Sequence, residues 1–301
     1  MVLIVIGALG FVLGTCAAGI VWTLPRSVVA APQLDAPTIA TALRGHARVR
    51  AWLQGRANPE TITGLLLTIA VAIFVLGVVG SGVLLMFIDH NAMLARWDLA
   101  AARFGADHAT NSDARWMRII SLVGGTPFML VVGMSSLVWM GIKRRKPGAT
   151  AAFLMTVIVG QLIIVNLTKV VVGRERPNIR RLTGFSGYSF PSGHAASAAV
   201  TCAAVALLLG RGVPRRRQVL LVGLSVGVTS SVAMTRIFLG VHWMSDVVAG
   251  VAIGWSWFAL TSIAFGGRLL QFGQPIKTAE RIADAMPPEA VDTISGTRRP
   301  A

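Results

Sequence analysis

The 301 residues are 54% hydrophobic and only 13% charged, with a mean hydropathy of +0.69. A soluble domain carries about a quarter charged residues, so this balance excludes an ordinary water-soluble globule and predicts an integral membrane protein. The net charge of +16 fits basic loops on one side of a bilayer and not nucleic-acid binding, because the basic residues lack the interleaved aromatics of a single-strand binder.

Residues 1–25 are uncharged before Arg26 and long enough to span a bilayer. A cleaved signal peptide is the rival reading, but the stretch has no positive start and Val29-Ala-Ala31 is a weak cleavage site. Residues 26–60 are polar and read as a linker with one short helix at most. An uncharged run over 61–88 is the second expected span. In 89–118, Met93, Leu94, Trp97, Ala101 and Phe104 recur at helical spacing and predict a helix lying in the interface. Further spans are expected at 119–142, 148–169, 192–210, 218–236 and 244–266, and 267–301 reads as a disordered tail. Cys16 and Cys202 both lie in apolar runs, with no disulfide framework and no zinc-ligand spacing.

Seven spans put 26–60, 143–147, 211–217 and 267–301 on one side. That side holds 18 of the 28 Lys and Arg residues, which identifies it as the cytoplasm. The loop over 169–191 and the turn over 237–243 then meet at the outer face. Cleavage near residue 31 would instead place both Arg-rich loops outside, so the uncleaved reading is preferred.

Three polar stretches interrupt the apolar chain on that face. Lys169, one of four lysines, precedes Arg176-Pro177 by seven residues, about two helical turns. Alone, these two also read as cations snorkelling from a helix end. Pro191-Ser192-Gly193-His194 opens a span, with Ser192 as an N-cap and Gly193 allowing close approach to backbone N–H groups that suit an anion. A plain capped helix would look the same. Thr235-Arg236 ends the next span, and His242 and Asp246, four apart, stack on one helix face. Asp246 can hold the imidazole Nδ1–H and leave the other nitrogen as nucleophile or base; a packing pair is the alternative. Together, three cations, two histidines and a carboxylate converging on one face suit phosphoryl transfer. No Asp/Glu cluster is placed to hold magnesium, so a metal-free, cofactor-free site is expected.

Lys-x6-Arg-Pro, Pro-Ser-Gly-His and Thr-Arg-x5-His-x3-Asp, in this order, resemble the signature of the type 2 phosphatidic acid phosphatase (PAP2) superfamily, membrane lipid phosphatases related to vanadium haloperoxidases. The resemblance covers about 61–266. It implies an all-α, polytopic membrane helix bundle with a six-span core over 61–266; the extra N-terminal span with its linker over 1–60 and the cytoplasmic tail over 267–301, read from hydropathy and charge, lie outside it. It also implies that His242 attacks phosphorus, that Asp246 orients it, and that His194 protonates the leaving group. Lys169, Arg176, Ser192, Gly193 and Arg236 would bind the phosphate. Thr235 departs from the family's usual Ser but keeps a hydroxyl, and Trp243-Met244 replaces a frequent Tyr-Pro. The implied partners are a lipid phosphate or diphosphate (isoprenoid or glycerolipid) and membrane lipids, with no signal for an oligomeric state. A lipid phosphotransferase and a non-catalytic membrane scaffold are the alternatives, and a soluble haloperoxidase fits least.

Overall fold

In a bilayer every backbone polar group must find its partner inside the protein, and a helix does this within one segment. The computed structural model describes residues 1–23, 80, 92–142, 147–210 and 213–265. They form eight α-helices and one 3-10 turn, with no strand among the described residues. The helices are α1 (Val2–Thr23), α2 (Ala92–His108), α3 (Asn111–Ser121), α4 (Thr126–Ile142), α5 (Pro147–Val172), α6 (Gly193–Leu209), α7 (Arg215–Phe238) and α8 (Met244–Ala264). The all-α membrane bundle expected from the sequence is what these residues build. Met1–Thr23 and Ala70–Ser262 belong to one compact unit. The expected span over 61–88, the linker over 26–60 and the tail over 267–301 lie outside the described residues except Gly80.

Among the described residues, α1, α5, α7 and α8 are long and apolar enough to cross a membrane. A fifth candidate arises if α3 and α4, bent by 49° at their junction, act as one broken span. The stretch expected as a single interfacial helix over 89–118 is instead two helices. Thr110 breaks it by capping α3: its Oγ1 accepts from the Asp113 N–H at 3.1 Å, and its own N–H donates to Asp113 Oδ2 at 3.2 Å. The buried stripe of α2 also differs from the expected one. Asp98, Ala102 and Ala106 face inward at i, i+4 and i+8, while Trp97 is exposed. The small residues decide this, since a Cβ at Gly105 would lie 2.8 Å from the Phe238 carbonyl oxygen.

Close helix approach is the main packing device, as expected where lipid tails leave no hydrophobic drive between helices. α1 lies against α7 through facing glycines. A Cβ at Gly14 would come 2.6 Å from the Gly223 carbonyl oxygen, and one at Gly223 2.9 Å from that of Gly14. Arg215, at the start of α7, donates to the carbonyls of Val21 and Trp22 at 2.8 Å each. It thereby satisfies orphan acceptors at the C-terminus of α1. The same logic joins α6 to α8, where a Cβ at Gly254 would sit 2.6 Å from the Ala196 carbonyl oxygen.

Gly14→Leu is expected to lower the thermal unfolding temperature in detergent by several degrees, because α1 must back away from α7. Gly19→Leu, on a face with nothing within 4 Å, is the matched control and is expected to leave it nearly unchanged. Equal shifts, followed by circular dichroism, would show that the α1–α7 contact is not tight.

Candidate active site

Helix α5 stops at Val172 because Gly173 takes a left-handed conformation (φ +63°), with its N–H returning to the Lys169 carbonyl at 3.0 Å. Lys169 and Arg176 are therefore not neighbours on one helix. They converge because the following loop folds back, closed by the Ser189 N–H on the Arg174 carbonyl at 2.8 Å. Lys169 Nζ donates to the Tyr188 carbonyl at 2.7 Å. Arg176 donates to the carbonyls of Ser186, Gly187 and Tyr188 at 2.9 to 3.0 Å and to that of Val241 at 2.7 Å.

Helix α6 begins at Gly193, with Ser192 in the N-cap position. The Ser192 hydroxyl makes no capping bond and has no partner among the described residues, contrary to the expected cap. Its backbone N–H donates instead to the Asp246 carbonyl at 2.9 Å, tying the start of α6 to α8. Gly193 faces open space, since a Cβ there would meet only Val165, at 3.7 Å. Arg236, 6% exposed, donates through Nη1 to Ser121 Oγ at 2.7 Å, and its Nε has no partner among the described residues. Thr235 turns its hydroxyl onto the Val232 carbonyl at 2.6 Å, inside its own helix.

His242 sits in the turn between α7 and α8. Its Nε2 lies 3.2 Å from Arg176 Nη1. A guanidinium only donates, so Nε2 carries the lone pair and Nδ1 the proton. Nδ1 faces Asp246 Oδ2 at 3.5 Å, an approach longer than a formed bond of about 2.9 Å. Burial is the largest influence on this imidazole and lowers its pKa from 6.5 to about 4, Asp246 pulling it up and Arg176 and Arg236 down. His242 is thus neutral near pH 7. Burial likewise lowers the Arg176 guanidinium, opposed by Asp246 and reinforced by Arg181.

Asp246 is fully buried and heavily bonded. Its Oδ2 accepts from the Ser189 hydroxyl and from the Trp243 N–H, the latter at 2.9 Å, and its Oδ1 accepts from Arg174 Nη1. The other end of Arg174 reaches Asp98 Oδ2 at 2.9 Å. Asp98, 2% exposed, also accepts from the Ser245 N–H at 2.9 Å and the Ser245 hydroxyl at 2.6 Å. Asp98, Arg174, Ser189 and Ser245 had escaped the sequence reading. Asp98 sat in a helix taken as interfacial, and Arg174 was passed over beside Arg176. The available signal was the i, i+4, i+8 run of Asp98 with two alanines.

Lys169, Arg176, Gly193, His194, Arg236 and His242 line one cavity of about 610 Å³, while Ser192 and Asp246 stand behind it. Among the described residues lining it none is acidic. The cavity offers three cations, two imidazoles and a helix N-terminus to whatever enters, which fits an anion. Among the described residues no three His, Cys, Asp or Glu side chains come together as metal ligands.

Residues 149–269 match the PAP2 superfamily. The chain is 37% identical over 125 residues to a lipid A 1-phosphatase of Rhizobium etli, covering 38% of this chain and 50% of that protein. It is 30% identical over 126 residues to phosphatidylglycerophosphatase B of Bacillus subtilis, covering 40% and 61%. The chain therefore spans about half the length of the relatives it matches first. Its fold is similar to the crystal structure of a transmembrane PAP2 type phosphatidylglycerolphosphate phosphatase from Bacillus subtilis, at TM-score 0.55 and 23% identity, over 64% of this chain and 94% of that one.

Removing one partner of a buried ion pair strands the other charge. Asp98→Ala is expected to cost about 3 kcal/mol, and Ser245→Ala, which removes an uncharged hydroxyl bonded to Asp98 and Arg174, about 1.5 kcal/mol. Equilibrium unfolding in mixed micelles checks the order; equal small effects would mean that Arg174 finds other partners.

Proposed function

We propose that this chain, whose residues 149–269 match the PAP2 superfamily, is a membrane lipid phosphatase working through a phosphohistidine. One observation carries the reading: His242, backed by a buried carboxylate, opens with three cations and His194 into one cavity that has no acidic residue among the described residues lining it. The relatives that match first are named as lipid A 1-phosphatase and phosphatidylglycerophosphatase B, and others as phosphatases of prenyl-linked lipids. An oxygenated lipid phosphate is accordingly the first substrate class to test, with prenyl phosphates and diphosphates second.

In the proposed reaction His242 Nε2 attacks phosphorus as the bond from phosphorus to the lipid oxygen breaks. Once the phosphate is bound, its negative charge favours the protonated form of His194, which gives that oxygen its proton, and the lipid alcohol leaves. His194, now neutral, takes a proton from water, whose oxygen attacks the phosphohistidine. The P–N bond breaks, and inorganic phosphate is released. Asp246 holds the Nδ1 proton and balances the imidazolium that forms during the first step. Lys169, Arg176 and Arg236 hold the non-bridging oxygens, with the N-terminus of α6 at Gly193. The carbonyls of 186–188 occupy donors of Arg176 in this structure, so phosphate binding exchanges those carbonyls for phosphate oxygens. The cations supply the charge stabilisation, and the reaction proceeds without a metal ion.

Purified protein is expected to release phosphate from phosphatidate or phosphatidylglycerophosphate in EDTA, and vanadate to inhibit it. His242→Ala is expected to abolish release and the acid-labile phosphoenzyme while remaining folded. Normal turnover in that variant would end the phosphohistidine proposal, and recovery of a phosphorylated acceptor in place of free phosphate would indicate a transferase.

The proposed active face is the outer one. Lys143, Arg144, Arg145 and Lys146 precede α5, whose far end carries Lys169. The 26 residues of α5 extend about 39 Å, enough to separate those cations from the site by a bilayer. Cysteines placed singly at 178–184 are expected to react with an impermeant thiol reagent in intact cells; labelling only after lysis would invert the topology.

A further inference from the structure

Below the phosphate-binding cations the same cavity contains a polar pair that the proposed chemistry leaves unused. Gln161 on α5 is 1% exposed, and Ser197 on α6 is 3% exposed; both line the cavity. The Ser197 hydroxyl donates to Gln161 Oε1 at 3.3 Å. That bond holds the amide by its oxygen and leaves Nε2 as a free donor, with no partner among the described residues. An unpaired buried amide donor is costly, more so inside a membrane bundle. Its neighbours explain Gln161 no better, because α5 around it is an apolar run (Val157, Ile158, Leu162, Val165) in which Leu would pack as well.

Position gives the pair a meaning. Gln161 lies eight residues before Lys169, about 12 Å deeper along α5. Ser197 is three residues after His194, about one turn or 4.5 Å further along α6. If His194 faces the leaving oxygen, the pair lies a few bonds farther along the leaving group, toward the bilayer interior. A donor there meets nothing on a prenyl phosphate, whose first carbons are hydrocarbon. It meets an acceptor on a glycerolipid or sugar phosphate, where an ester, hydroxyl or ring oxygen follows within two or three bonds.

Resting on the phosphatase reading above, we propose that Gln161 and Ser197 form a leaving-group subsite that selects lipid monophosphates bearing oxygen close to the scissile phosphate. Gln161 Nε2 donates to that oxygen, and Ser197 fixes the orientation of the amide. Selection of this kind is strong because a substrate lacking the oxygen leaves the buried donor unpaired.

The test compares kcat/KM for phosphatidate, lipid A and farnesyl monophosphate in one detergent, since kcat/KM reports the steps up to departure of the lipid alcohol. Gln161→Leu is expected to lower the ratio of an oxygenated substrate to farnesyl monophosphate about tenfold, the worth of one hydrogen bond to a buried donor. Ser197→Ala, which keeps Gln161 and changes less volume, is expected to lower the same ratio about threefold and stands in if the leucine variant does not fold. A fall with phosphatidate alone assigns the subsite to an ester oxygen, and a fall with lipid A alone to a sugar oxygen. Ratios unchanged in the folded variants, or wild-type activity confined to the prenyl lipid, overturn the subsite while leaving the phosphatase reading intact. Wild-type protein inert on all three lipids overturns both.

Discussion

Arg174 lies between two buried carboxylates, and the geometry of the site depends on that arrangement. One edge of its guanidinium binds Asp98 on α2, and the other binds Asp246 on α8. Shared by one planar, permanently charged group, both carboxylates meet a partner and point in fixed directions. A lysine could not serve both so well, since it offers a point charge in place of a fork. Asp246 has to be ionised if it is to steady a proton on His242 Nδ1. The helix that carries Asp98 is therefore part of the site's support, although none of its residues is among the described residues lining the cavity.

Charge is balanced unevenly across the site, and the imbalance has a direction. Behind His242 the carboxylates are saturated by Arg174, Ser189, Ser245 and the Trp243 N–H. In front, Arg236 keeps a donor without a partner among the described residues, and Lys169 and Arg176 rest on backbone carbonyls. Carbonyl dipoles are weaker partners for a cation than an anion is. In the proposed reaction a phosphate would take the place of the carbonyls of 186–188 on these cations. A low imidazole pKa belongs to the same balance, because a protonated His242 would add a further positive charge beside Arg176.

How much of this was legible in the sequence follows from what kind of signal each residue leaves. Lys169, Arg176, His194, Arg236, His242 and Asp246 stand out because ionisable groups are rare in apolar runs, and the structure gathers all six. The helical class and most helix positions follow from the same contrast. Asp98 was hidden, since its helix carries other charges and its burial depends on which face turns inward. That choice was made by Gly105 and Ala102, small residues that read as featureless in a hydrophobic pattern. Gln161 was hidden for a related reason: a single neutral amide barely changes the apolar average of α5. Ser192 was misread in the opposite sense. A serine before a helix looks like a cap, but here the backbone N–H on Asp246 is the contact that matters.

The small residues at the start of α6 show how packing and chemistry become one constraint. Ala195, Ala196, Ser197, Ala198 and Ala199 are all buried, and α8 meets them with Gly250 and Gly254. A Cβ at Gly250 would lie 3.3 Å from both the Ser192 carbonyl carbon and the Ala195 Cβ, and one at Gly254 2.9 Å from the Ala199 Cβ. Two backbones this close cannot slide by a turn without a clash, so shape sets their register together with the Ser192 N–H on the Asp246 carbonyl. That register in turn fixes His194 on α6 relative to His242 just ahead of α8. In the proposed reaction, with His194 as acid and His242 as nucleophile, the two need such a fixed separation. In a bilayer, where hydrophobicity cannot press helices together, glycine and alanine supply it by letting the backbones touch.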